Sequence, residues 1–469
     1  MSYSLHNLKV IGMDLEGILD CQVESRIGEH SRLTLLACAD REEDFLYELP
    51  IYPPIQVMLQ EGDREACLFS GVVTDVRITV QAQVKTVQIE GKSVSWLMDR
   101  TRRSRSFQDA GMSFHALAEK VLGDYPGSAL YYAAPEQAIG SLLVQYEETD
   151  WEFLKRAMSL IGAEVTPDSR RPGLCLYAGV PSLPEAEAAF RIQRMEKDMQ
   201  SCYHLRANGR SVQAADFTRY EVSGGSVLGI FESVRIRGHA LTVRACRYAF
   251  EGQELVCTYS LQKVGGLTRA AAYPMHLIGT ALPGKVERTS GSKVQVAMEI
   301  DRTSGNPALH WFPYSTLSAS ADGSGWYCMP EIGDQVRICF PSKYEKEAIA
   351  LSAVNSYDAP SGGGEDRMQD PDSRYLKTKS GQELALAPGR MKLSCGKGRS
   401  AVTIQNDGKI LIEAQNMVQA EAGTELVVQA GEELVLHAKE GLVVQSSQGG
   451  GIAFDGSKVV IQGTEVKFD

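Results

Sequence analysis

Residues 402–446 read VTIQNDGK-ILIEAQNM-VQAEAGTE-LVVQAGEE-LVLHAKEG-LVVQS, an apolar-x-apolar-x-small pattern that returns every eight residues without slipping. Val402, Ile410, Val418, Leu426, Leu434 and Leu442 fill the first apolar place. Ile404, Ile412, Ala420, Val428, Leu436 and Val444 fill the second, and a small or polar residue follows two positions later, from Asn406 and Ala414 to Ser446. Alternation with period two marks a strand, because successive side chains of extended backbone point to opposite faces. Eight residues are too few to enclose a core alone; single-chain coils use roughly 20 or more per turn. Each unit nevertheless sets its large apolar side chains on one face, at about 1.5–3 kcal/mol each when buried, and such a face is adhesive when left in water. Three identical chains wound about one axis, each giving one wall of a narrow prism, satisfy that face. An open meander with a hairpin every eight residues is the lesser alternative. Only Asp407-Gly408 and Asp455-Gly456 supply the turn pair it needs. The register breaks at Gly449-Gly450-Gly451 and resumes as Ile452-x-Phe454, Val459-x-Ile461 and Val466-x-Phe468.

Outward positions of the repeat are mostly Gln and Glu, and residues 402–469 carry four Lys against ten Asp or Glu, a net of −6. The whole chain of 469 residues has a net charge of −11, which argues against a nucleic-acid partner, since phosphate binding wants a basic face. With 43% hydrophobic and 23% charged residues it has the composition of a folded protein of several domains. No apolar run approaches the ~18 residues of a membrane-spanning helix. The start, MSYSLHNLKVIGMDLEG, lacks the basic and apolar regions of a signal peptide, so assembly in the cytoplasm is expected. Ten cysteines show neither a C-x-x-C pair nor zinc spacing, and read as small hydrophobes of a reducing compartment.

Upstream, residues 275–356 read as a five-stranded barrel. Lys293–Ile300 and Gln335–Phe340 alternate, and Pro330-Glu-Ile-Gly-Asp334 forms the turn into the second. The polar, Gly-rich run 357–373 reads as a linker into a needle of 374–469. Residues 1–98 and 201–274 are strand-rich, and the stretch between them, 99–200, holds two helices. In the first, Phe114, Leu117, Ala118, Val121 and Leu122 follow helical spacing behind Ser113 as cap. The second opens with the capping box Thr149-Asp150-Trp151-Glu152 and closes at Gly162.

Catalytic chemistry finds little support. The box explains Glu152, and acidic residues such as Asp150 suit a helix N-terminus without an acid/base role. Gly279-Thr-Ala-Leu-Pro-Gly-Lys285 comes near a phosphate-binding loop, but Val286 stands where Ser or Thr must hold magnesium. The eight His are scattered, and His437 falls on an outward position of the repeat. No catalytic residue, cofactor or metal is therefore expected. Arg100, Arg102, Arg103 and Arg105 form a basic patch that reads as a solvated loop, or less favourably as a dock for an acidic partner.

Taken together the motifs resemble the VgrG-type spike proteins of contractile injection systems, relatives of phage tail hub and spike proteins. Gln145-Tyr-Glu-Glu-Thr-Asp-Trp-Glu-Phe-Leu154 is similar to the family's helix start. Pro330, Glu331, Gly333 and Asp334 match the P-E-x-G-D motif of its oligonucleotide-binding (OB) fold barrel. Lys346–Asn355 resembles the strand that closes that barrel, and Lys377-Thr-Lys-Ser-Gly381 the start of the needle. The resemblance implies a mainly β homotrimer with a small α/β insertion. Tandem hub barrels at 1–98 and 201–274 would be followed by the OB-fold barrel and an intertwined triple-stranded β-helix. It also implies a hexameric inner tube protein above, baseplate proteins around, a PAAR-like tip on the needle and effector cargo as partners. The protein would then be part of a particle that is released or fired into a target cell. A trimeric tailspike acting on surface polysaccharide is the competing reading. It needs paired carboxylates in a groove, for which an eight-residue repeat offers no room.

Overall fold

The computed structural model describes residues 3–38, 45–61, 64–81, 84–301, 308–351 and 370–467. Two compact units divide the chain at Ser356/Tyr357. The expected linker falls largely on 357–369, and the end of the expected closing strand on 352–355; both stretches, like Phe468, lie outside the described residues.

In the first unit, strands from both ends of the hub region join one antiparallel sheet of eleven. Its spatial order is Leu8–Ile11, Pro54–Glu61, Arg64–Gln81, Val84–Ser93, Arg32–Cys38, Gly17–Arg26, His239–Glu251, Glu254–Gln262, Thr218–Gly224 and Arg191–Lys197. Ser233–Ile236 pairs separately on His239–Glu251. The seam is the pairing of Gln22–Arg26 with Ala245–Ala249. Alternating residues from both sides of it fill a single core, with Val23, Leu35 and Phe69 from one half and Val243, Tyr259 and Leu261 from the other. The two strand-rich regions therefore share one sheet. The second set starts at Arg191, ahead of residue 201, and a helix at Met199–Ala207 interrupts it.

The insertion folds as its local signals dictate. Helix Phe114–Leu122 buries the five residues of its predicted stripe, and Ser113 Oγ accepts from the Ala116 N–H at 3.1 Å. Helix Asp150–Leu160 ends in a Schellman motif. Gly162, at φ +77°, donates its N–H to the Ser159 carbonyl at 3.0 Å, and Ala163 donates to Met158 at 3.1 Å. Both helices pack with Phe107, Leu174 and Leu176 into a second core.

Five strands form the barrel that follows, in the order Trp311–Pro313, Lys293–Met298, Ala281–Ser290, Gln335–Cys339, Ile349–Leu351. A bridge between Tyr314 and Ala350 joins the two outer strands and closes it. The near phosphate-loop match falls largely on the first of its strands in sequence, Ala281–Ser290, where no helix follows. The barrel core of Val286, Val294, Val296, Phe312, Val336 and Ile338 also takes in Leu142 and Val144 from the insertion.

The second unit departs from the expected run of octad strands. Residues Arg374–Lys377, Glu383–Ala387, Arg390–Cys395, Ser400–Gln405 and Ile410–Ala414 form an antiparallel meander. A second meander joins Gly441–Gln445, Gly451–Asp455 and Lys458–Gln462. No strand is formed by 415–440. The turns mark where strands form: Gly408, at φ +88°, closes the hairpin at Asp407-Gly408, Gly449, at φ +92°, lies in the Ser446–Gly450 turn that pairs Gly441–Gln445 with Gly451–Asp455, and Gly456, at φ +56°, closes the last hairpin. The octads of 415–440 have no positive-φ glycine turn and pair with no strand.

Candidate functional site

Three places carry the residues singled out from the sequence. At the first, the helix-start motif is the hub of a buried ionic network. The capping box forms as expected: Glu152 N–H donates to Thr149 Oγ1 at 3.1 Å, and Thr149 N–H to Glu152 Oε2 at 3.0 Å. Asp150 is fully buried, and every oxygen is engaged. Its Oδ1 accepts from Arg105 Nη2 at 2.7 Å and Gln145 Nε2 at 2.9 Å. Its Oδ2 accepts from the Tyr125 hydroxyl at 2.8 Å and lies 3.3 Å from Arg103 Nε. Burial, with the Asp150 charge beside it, pushes the Tyr125 hydroxyl well above its ordinary value. A carboxylate so occupied holds structure together and has no lone pair to spare for a substrate proton.

Arg103 and Arg105 of the basic patch belong to this network and lie on a strand, which corrects the reading of a loop, while Arg100 and Arg102 are exposed. Arg102–Phe107 is a strand paired with Leu143–Thr149. Arg103 and Arg105 both reach Asp124 and Asp150, Arg102 donates to the Glu147 carbonyl at 2.8 Å, and Arg100 lies over Trp96 at 4.5 Å. Three arginines, Arg102, Arg103 and Arg105, on a strand facing one that carries Glu147 and Glu148 were the visible signal. It is recognised only once the two stretches are known to pair.

One helical turn on, Arg156 welds the insertion to the barrel, a role the sequence did not disclose. Its Nε and Nη2 form a bidentate pair with Glu148 at 2.8 and 2.7 Å, and Nη1 reaches Glu345 at 3.3 Å. Glu345 in turn accepts from the Val144 N–H at 2.8 Å. All three side chains are nearly sealed from water. Burial opposes the arginine charge, but Glu345 and Glu148 outweigh it and hold the guanidinium above its ordinary value. Burial pushes the Glu345 carboxyl up. Nearby, Asp301 of the barrel accepts from the Ser106 N–H at 2.6 Å.

The second place is the barrel turn. Pro330 is buried, and Gly333 sits at φ +99°. Asp334 Oδ2 accepts from the Glu331 N–H at 2.8 Å and closes the turn on itself. Gly333 N–H then bonds the Val286 carbonyl at 2.8 Å, and Val286 N–H the Asp334 carbonyl at 2.9 Å, at a bulge of the neighbouring strand. The motif thus fixes register between two barrel strands.

The third place is the octad face. Val402 and Ile404 lie opposite Ile412 and Ile410 in a hairpin, and Leu442 and Val444 opposite Phe454 and Ile452. Val418, Leu426, Val428, Leu434 and Leu436 stand exposed; Val428, for example, is 66% accessible. Of the cysteines, Cys21, Cys202, Cys246 and Cys257 are buried as expected, whereas Cys328 and Cys395 are exposed.

Residues 25–202 match the family model of the phage tail baseplate hub (GPD). Residues 282–354 match that of the type VI secretion system/phage-baseplate injector OB domain. The chain therefore carries a segment similar to a baseplate hub and, after it, one similar to an injector OB barrel, the module order that its motifs share with VgrG-type spike proteins. Solved structures agree at the level of fold. An E. coli component of the type VI secretion system, described as structurally similar to T4 bacteriophage tail proteins gp27 and gp5, superposes with a TM-score of 0.55 at 14% identity. That match covers 75% of this chain and all of the other. VgrG of Francisella, in its half-lidded complex with PdpA, gives 0.51 at 11% identity over 87% of both chains. The lidded form gives 0.52 at 10% identity over 84% of this chain and 76% of that one. No curated protein matches the sequence.

Proposed function

We propose that the protein is the non-enzymatic central spike of a contractile injection system, acting as a homotrimer. In this reading the hub sheets of three copies meet a hexameric tail tube and baseplate. The octads of 402–446 wind into a needle that punctures the target envelope, with a tip protein on its end. The observation that carries it is the octad face: a repeating apolar stripe, exposed within one chain, on a protein whose upstream modules are a baseplate hub and an injector barrel. Identical copies are the occupants that match such a repeat level by level. The needle calls for no active site, since its work is mechanical, and intermolecular strand pairing leaves no level that opens alone. The Francisella VgrG is seen in complex with PdpA, which supports a further protein bound at the spike as a second partner class.

Light scattering on the full-length protein tests this. A trimer has three times 51.2 kDa, or 153.6 kDa, and the mass falls to that of one chain when residues from Ser400 onward are removed. A folded full-length monomer refutes the proposal.

A further inference from the structure

The turn between strands Gly17–Arg26 and Arg32–Cys38 is plugged into the helical insertion. Gly28 donates its N–H to Thr166 Oγ1 at 3.1 Å, and its carbonyl accepts from Lys155 Nζ at 2.5 Å. Gly28 sits at φ +77°, and a Cβ there would meet the Glu164 side chain at 2.7 Å, so the two parts touch without spare room. Two residues on, the His30 ring lies over Trp151 with centroids 4.4 Å apart. Its Nδ1 shares a hydrogen bond with Ser95 Oγ at 2.8 Å. Its Nε2 is buried and makes no hydrogen bond among the described residues. The carboxylate facing it, Asp99 Oδ2, stands at 3.6 Å, beyond hydrogen-bond reach. Asp99 is already engaged through its other oxygen by Thr149 Oγ1 at 2.6 Å, the cap of the motif helix.

Charges reach this joint from every element packed on it. Lys92, on strand Val84–Ser93, and Lys155, on the motif helix, both disfavour a cationic ring, as burial does; Asp99 favours one. Glu29 on the turn and Glu164 behind it act on Lys155. Burial and the two lysines outweigh Asp99 and hold the half-satisfied imidazole neutral. Neither the Arg156 weld nor the octad face uses it.

We infer that His30 makes this joint an acid-released latch: one proton taken up from solvent adds a cation to a site already under the influence of Lys92 and Lys155 and frees the turn from the motif helix. In the closed joint burial pushes the ring down to about 4. Once released, the ring returns to its ordinary ~6.5. Between those values the open form binds the proton that the closed form refuses, so closure is complete above the ordinary value and weakens as pH falls. Opening rises by up to about tenfold per pH unit.

Hydrogen–deuterium exchange of the full-length protein, corrected for intrinsic rates, reads this directly. From pH 7.5 to 4.5, opening rises roughly tenfold to a hundredfold in peptides covering 26–32 and 149–156, while strand Glu254–Gln262 keeps its protection. His30→Gln and His30→Phe abolish the rise. Lys92→Gln weakens it, because loss of that cation lets the closed joint tolerate the proton. An acid response unchanged in His30→Gln, or spread evenly over the hub, overturns the inference. Where the His30 variants do not fold, an unchanged response in Lys92→Gln does the same.

Discussion

Arg156 occupies the point where the motif helix, strand Leu143–Thr149 and the barrel meet, and its guanidinium neutralises two buried carboxylates at once. A buried pair of this kind contributes modestly while intact and costs heavily when one partner is lost. Arg156→Met is expected to destabilise the first unit by about 3–5 kcal/mol, read as a fall in melting temperature. The deficit shrinks on acidification. Burial already pushes the Glu345 carboxyl up, so a lower pH neutralises the stranded group; a deficit equal at pH 5 and pH 8 contradicts that assignment. Asp334→Ala removes the acceptor that closes the barrel turn and is expected to cost about 1 kcal/mol in a denaturant melt. At this scale the sequence disclosed what depends on near neighbours. Ser113, Thr149, Glu152 and Gly162 act within one helical turn, and spacing alone identifies them. Glu345 lies 189 residues from Arg156, and no local pattern links them.

Among the elements, the same distinction separates the helices from the octads. Amphipathic spacing and caps determine a helix by itself, and both insertion helices occur where the stripes end. A strand needs a partner, and its partner is a matter of topology. The octads show this within one chain: those beside the glycine turns at Gly408 and Gly449 form hairpins, and those of 415–440 form none. Their apolar stripe specifies a buried face, while the identity of what buries it lies outside a single chain. Val428→Asp is expected to unzip the proposed needle, because a trimer would bury three unpaired carboxylates at one level. Sedimentation of the variant as a single chain is the expected outcome, and an unchanged trimer mass removes Val428 from the core.

For the whole molecule, two compact units predict two separate melting transitions in calorimetry. Val428→Asp moves only the transition that depends on protein concentration, because only the needle couples to assembly; a single shared transition argues against independent units. The order of hub and barrel was legible from the motifs, and the family matches at 25–202 and 282–354 follow the same order. The shared hub sheet was not legible, since nothing local in Gln22–Arg26 names Ala245–Ala249 as its neighbour.

That seam has a consequence for how the chain is made. Gln22–Arg26 leaves the ribosome long before Ala245–Ala249 exists. At about 5–20 residues per second, the interval is roughly ten to forty seconds. Throughout it the early hub strands lack the neighbour that covers one edge, and they remain exposed to mispairing. The adhesive octads are synthesised only after the seam can close. Chain order therefore delays the stickiest surface until the hub is able to fold, and a nascent chain stalled between residues 100 and 240 is the species most in need of a chaperone.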